Sequence, residues 1–202
     1  MIYISSLVPV VATMAPSVSD PVIMAAIRRA ATLFCEESGI WRGEVEIDPP
    51  EAGASILEHF LPRGSRLSSL VSVVVDGREL ELAGDELFIN DERRTRPRKV
   101  ALINGIITVD GALAGGERVQ VYGTFAPTPT ADQLPDLFGG MWHDALISGT
   151  LAELFRYAPT SAQSQQLASH HASLFAGQIA HARSRSRSGN THARRTVAYG
   201  GI

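Results

Sequence analysis

The sequence predicts an α+β protein: a helical bundle from N- and C-terminal helices, an inserted antiparallel β-sandwich or barrel-like domain, and an extended C-terminal tail. Three observations predict it. Apolar residues recur at three- and four-residue steps only within residues 19–40 and 135–185. Between them, residues 41–128 carry short valine-rich runs broken by Asp-Gly and Asn-Gly pairs. After residue 185 neither pattern continues, so residues 186–202 read as tail, and residues 1–18 as an N-terminal arm or edge strand.

The arm is apolar, but it has no Lys or Arg before its hydrophobic stretch and is interrupted by Pro9, both unlike a secretory signal. The first helix opens at Ser19-Asp20-Pro21: Ser19 or Asp20 caps the free amides, and Pro21 suits a first turn that needs no N–H. Ile23, Ile27, Ala30, Ala31 and Phe34 line its buried face, and Gly39 stops it. Cys35 sits beside that face as a small buried hydrophobe. Two hairpins follow, residues 70–82 turning at Asp76-Gly77 and residues 100–109 turning at Asn104-Gly105. Both dipeptides favour the positive φ that a type I′ turn requires. Runs at 44–48, 55–61, 86–89 and 118–125 complete the sheets, and Pro127, Pro129 and Pro135 close the region. A helix is expected over residues 135–157, with small residues Ala145, Gly149 and Ala152 admitting a close neighbour. A second begins at the capping box Thr160-Ser161-Ala162-Gln163 and carries Leu167, His171, Leu174, Gln178 and Ala182 on one face.

Composition narrows the function. The chain has 202 residues, 45% of them hydrophobic, which excludes wholesale disorder. No apolar run is long enough to span a membrane, and one cysteine excludes a disulfide framework. Residues 1–153 hold all 21 acids against 12 basic groups, whereas residues 154–202 hold six arginines and no acid. An acidic body with a basic end points to a partner. No phosphate loop, dinucleotide fingerprint or nucleophile elbow is present, so neither a catalytic residue nor a cofactor is expected. His170 and His171 are helix neighbours about 100° apart and are not expected to grip a metal together; His143-Asp144 is expected to diverge in the same way.

Two basic clusters remain. Arg93, Arg94, Arg96, Arg98 and Lys99 lie in an inter-strand loop and fit either DNA or an acidic protein face. Arg183, Arg185, Arg187, Arg194 and Arg195 form the second, with Tyr199 and Ile202 at its end. Arginine forks suit phosphates and carboxylates alike, but apolar anchors such as Tyr199 and Ile202 suit pockets in a protein. A nucleic-acid-binding protein using both clusters is the alternative.

The order of features resembles the head–tail connector, or neck adaptor, family of tailed bacteriophages. The likeness is carried by PVIMAAIRRAATLFCEESGIW at residues 21–41 and LPDLFGGMWHDALISGTLAEL at residues 134–154, with Trp142, Ala145, Ile147 and Gly149 in the second. The helix containing Phe175, Ile179, Ala182 and Arg183, followed by a basic tail, continues it, so that the resemblance covers most of residues 16–195. Its motifs are structural rather than catalytic. The resemblance implies a structural virion protein, made in the bacterial host cytoplasm, that forms a homo-oligomeric ring, commonly a dodecamer, in the virion neck. It implies a portal protein and a tail or neck protein as partners, the tail docking on the portal. Genomic DNA would pass through the lumen without specific binding, which an acidic lumen favours.

Overall fold

The computed structural model describes residues 1–48, 50–84, 96–157 and 162–188. The expected strand at 86–89, Arg93, Arg94, the capping residue Thr160, and Arg194, Arg195, Tyr199 and Ile202 lie outside the described residues. Within them the chain is mixed α+β, with four helices and sheets that are antiparallel in all pairings but one.

Residues 1–18 are not an extended arm. Only β1 (Ile2–Tyr3) is extended, pairing with β11 (Gln133–Leu134); a 3-10 turn at Ile4–Ser6 leads into α1 (Val8–Met14). Burial decides this: Ile4, Leu7, Val8 and Val11 are all inside the helical core, and Pro9 falls in the first turn, where it interrupts no helical hydrogen bond.

Helix α2 (Asp20–Ser38) buries Ile23, Ala26, Ile27, Ala30, Ala31, Phe34 and Cys35. Ser19 occupies the N-cap position, but its side chain makes no capping hydrogen bond. Gly39 ends the helix in the left-handed region, its N–H donating to the Cys35 carbonyl at 2.8 Å. The helix expected over 135–157 is shorter: a 3-10 turn at Asp136–Phe138 precedes α3 (His143–Tyr157). Leu134 is held in β11, and the consecutive Gly139 and Gly140 are poor helix formers, so the regular helix starts late. Helix α4 (Ala162–Ser188) then packs along α3. Phe34 centres an aromatic group that ties these segments together, with ring centroids 5.5 Å from Phe138, 5.3 Å from Trp142 and 6.0 Å from Phe175.

The strands form a second layer system. One sheet runs β4 (His59–Phe60), β2 (Arg42–Ile47), β10 (Val119–Pro127), β5 (Ser65–Val75), β6 (Arg78–Glu79). The other runs β3 (Ile56–Leu57), β9 (Ile106–Val109), β8 (Lys99–Ile103), β7 (Glu81–Leu82). Both hairpin turns have the expected geometry, φ being +48° and +78° at Asp76 and Gly77 and +51° and +82° at Asn104 and Gly105. The first hairpin is not one continuous strand pair. Its return strand keeps one more bond to β5, Leu80 N–H donating to the Val73 carbonyl at 2.9 Å, and then β7 pairs parallel with β8 in the other sheet, with Leu80 turned into the β core at 3% exposure.

Two hydrophobic cores result. The helical one holds Ile23, Ile27, Phe34, Leu146, Leu151 and Phe175; the β one holds Val45, Val73, Val100, Ile107, Val121 and Phe125. They meet on β10, where Phe125 belongs to the β core and Ala126 to the helical core, while Trp41 packs against both and lies 5.6 Å from Phe125.

Candidate functional site

The arginine segment between the strands is anchored by a residue that motif reading passed over. Asp110, 2% exposed at the end of β9, accepts hydrogen bonds from the backbone N–H of Arg98 at 2.6 Å and of Lys99 at 2.8 Å. Its own N–H donates to the Lys99 carbonyl at 3.0 Å, and Glu81 N–H donates to the Arg98 carbonyl at 2.8 Å. A buried carboxylate needs such donors, so the backbone entering β8 is fixed. Side chains of Arg96 and Arg98 remain exposed. Arg96 lines a recess of about 500 Å³ with Arg78, Pro97, Gly115, Gly116 and Glu117. The sequence signal for Asp110 is faint: one acid directly after an apolar hairpin strand.

The second cluster is divided by the fold. Residues 183–187 are not tail: α4 continues to Ser188, so Arg183, Arg185 and Arg187 are helical. The Arg-Ser alternation hides a four-residue step, Ala182 and Ser186, that is buried. Arg183 donates from Nε to the Glu37 carbonyl at 2.7 Å and from Nη2 to Glu37 Oε2 at 2.6 Å. Ser186 Oγ donates to the Gly39 carbonyl at 2.8 Å. Both therefore satisfy carbonyls left open at the C-terminus of α2, where a cation is also favoured by the helix dipole. Arg183 is committed within the chain, whereas Arg185 and Arg187 are exposed.

The small residues of α3 serve the chain itself before they serve any neighbour. Ala145 is fully buried. A Cβ on Gly149 would lie 2.7 Å from Cε2 of Phe175, which explains why only glycine fits there. Ala152 is half-buried and lines an open groove of about 410 Å³ between α2, α3 and α4, with Leu33, Ala168, Ala172 and Ala176 along it. An Arg29–Glu153 pair at 3.0 Å and Arg156 flank this groove.

Beside that groove, α4 is unusual in what it exposes. Residues 162–182 contain no Asp, Glu, Lys or Arg. Yet Leu167 and Leu174 are 37% and 45% exposed, and only Phe175 and Ala182 of its described side chains up to residue 182 are buried.

Burial, helped by Glu36, pushes the thiol of the fully buried Cys35 far above its ordinary range, which disfavours the thiolate. His143 and Asp144 do touch, Nδ1 lying 3.3 Å from Oδ1, which corrects the expectation that they diverge. They sit in the first turn of α3, and the Asp144 side chain is 93% exposed, free to swing back. His170 and His171 have ring centroids 5.4 Å apart. Among the described residues no group of three or more His, Cys, Asp or Glu could hold a metal ion, and no helix is long and apolar enough to cross a membrane. No family model matches the chain, and no curated protein matches it.

Proposed function

We propose that the chain is a head–tail adaptor of a tailed bacteriophage, a structural subunit of a ring that joins a portal protein to a tail or neck protein in the virion. One observation carries the self-association: a 27-residue helix whose first 21 residues are uncharged, with exposed leucines beside an open groove. A surface helix of a monomer ordinarily presents charge to water, so an uncharged stretch of helix with two exposed leucines beside a groove supports an interface there. In this reading α2, α3 and α4 are the bundle that builds the ring wall, and the two sheets are a sandwich-like inserted domain facing the neighbouring neck or tail protein. The number of subunits is proposed as twelve from the resemblance alone.

Attachment to the portal falls to the basic end. Arg183 is engaged with Glu37, so the strap begins beyond it, with Arg185, Arg187, Arg194, Arg195, Tyr199 and Ile202. The acidic body favours free passage of DNA, because phosphate binding grows with each cation presented. No reaction or cofactor is assigned.

Mass photometry of the purified chain with and without a portal tests the reading. A ring in either condition, with portal attachment lost on deleting residues 189–202, is the expected result. A chain monomeric in both conditions would overturn it. A nucleic-acid-binding role is the second reading, favoured by the exposed Arg78, Arg96 and Arg98, none of which is ion-paired among the described residues. It requires DNA binding by the isolated chain that weakens steeply with salt and is lost in Arg96→Ala/Arg98→Ala.

A further inference from the structure

We propose that the contact between α3 and α4 is a proton-sensitive latch, in which protonation of His171 releases the N-terminal half of α4 from Phe155. The inference stands whether or not the subunits form a ring.

The geometry supplies the device. The His171 ring is stacked on Phe155 of α3, centroids 5.9 Å apart and planes 26° from parallel. Its Nδ1 is shut off from water and has no hydrogen-bond partner among the described residues. A neutral imidazole tolerates this when its proton is on Nε2, because Nδ1 then only forgoes accepting a bond. The imidazolium does not tolerate it: both nitrogens become donors, and Nδ1–H would be buried unpaired in a charged ring.

Among the described residues the neighbours offer no relief. On α4 itself the nearby titratable group is His170, whose ring is 5.4 Å away and whose charge would repel a second one. On α3 the ionisable groups of this half are Glu153, Arg156 and Tyr157; on α2 it is Arg29. Glu153 is already paired with Arg29, and Arg156 is another cation. Burial, then His170, accordingly lowers the His171 pKa from its ordinary value of 6.5. Below that value the unfolded or detached segment binds more protons than the packed one, so packing weakens as pH falls through 6.5 and on through the lowered value.

Hydrogen exchange of the full chain at pH 7.5 and 5.5, corrected for intrinsic rates, reads the latch directly. Residues 163–175 are expected to open more at pH 5.5, by up to about tenfold per pH unit across the titration. His171→Phe keeps the stack and removes the proton, and is expected to abolish that increase. An equal increase in His171→Phe would overturn the proposal. Should that variant fail to fold, NMR titration of His171 in the unaltered chain decides: a pKa below 6.5 supports the latch and one at or above 6.5 overturns it.

Discussion

The helical part and the β part of this molecule solve the same problem differently. Each β hairpin is specified by its own turn: Asp76-Gly77 and Asn104-Gly105 set the register of the residues that flank them without help from a distant contact. The helices have no such local device. Their order is set by Phe34, which gathers Phe138, Trp142 and Phe175 from three later segments, and by Gly149, which lets Phe175 in. The β part thus orders its strands largely by short-range turns, whereas the helical part depends on a few long-range fits; both leave apolar side chains exposed, among them Ile56, Phe60 and Ile106 on the strands and Leu167 and Leu174 on α4.

Perturbations of the two parts differ accordingly. The largest effect is expected from Phe175→Ala, at about 3–5 kcal/mol for deleting a buried aromatic ring. Denaturant unfolding measures it, and the loss should extend to α2 and α3, since Phe175 touches both. Gly149→Leu comes next, with overpacking of about 1–3 kcal/mol. Combining it with Phe175→Ala should recover part of that cost, because the cavity accepts the new side chain. Additive losses in the double variant would mean that the two residues are not partners.

On the β side, Asp110→Ala leaves the N–H groups of Arg98 and Lys99 without their acceptor and should cost about 1–3 kcal/mol. Hydrogen exchange should show the change at the start of β8 and leave α2 to α4 untouched. Gly105→Val forces a branched side chain into positive φ and is expected to cost about 1–2 kcal/mol, confined to β8 and β9. Protection lost equally in the helices would break the separation drawn between the parts. The smallest effect is Arg183→Ala, at about 1 kcal/mol or less, because the Arg183–Glu37 pair is partly solvent-exposed. Its readout is fraying of the last turns of α4 by circular dichroism, with the β part unchanged.

Much of the chain was legible without coordinates wherever local chemistry decides the outcome. Residues 20–38 read as a helix from proline placement, apolar spacing and Gly39, and both hairpins read from their turns. Four features escaped. Residues 8–14 carry β-rich valines, and only burial against α2 makes them helical. The exchange of β7 into the second sheet depends on Leu80 reaching a core assembled from distant strands. The helicity of Arg183, Arg185 and Arg187 depends on carbonyls of α2, far away in sequence. Asp110 became a clamp because the hairpin returns it to the N–H groups of residues 98 and 99.

The sequence by itself determined the mixed class, the segments that turn, the charge division between body and end, and the uncharged character of residues 162–182. Those are properties of neighbouring residues and need no partner in space. The tertiary structure alone decided which small residues of α3 are consumed inside the chain, which of the described arginines are committed, and that Nδ1 of His171 loses its water beside Phe155. Each of these depends on desolvation and close packing between segments distant in sequence, quantities that come into being only when the chain is folded.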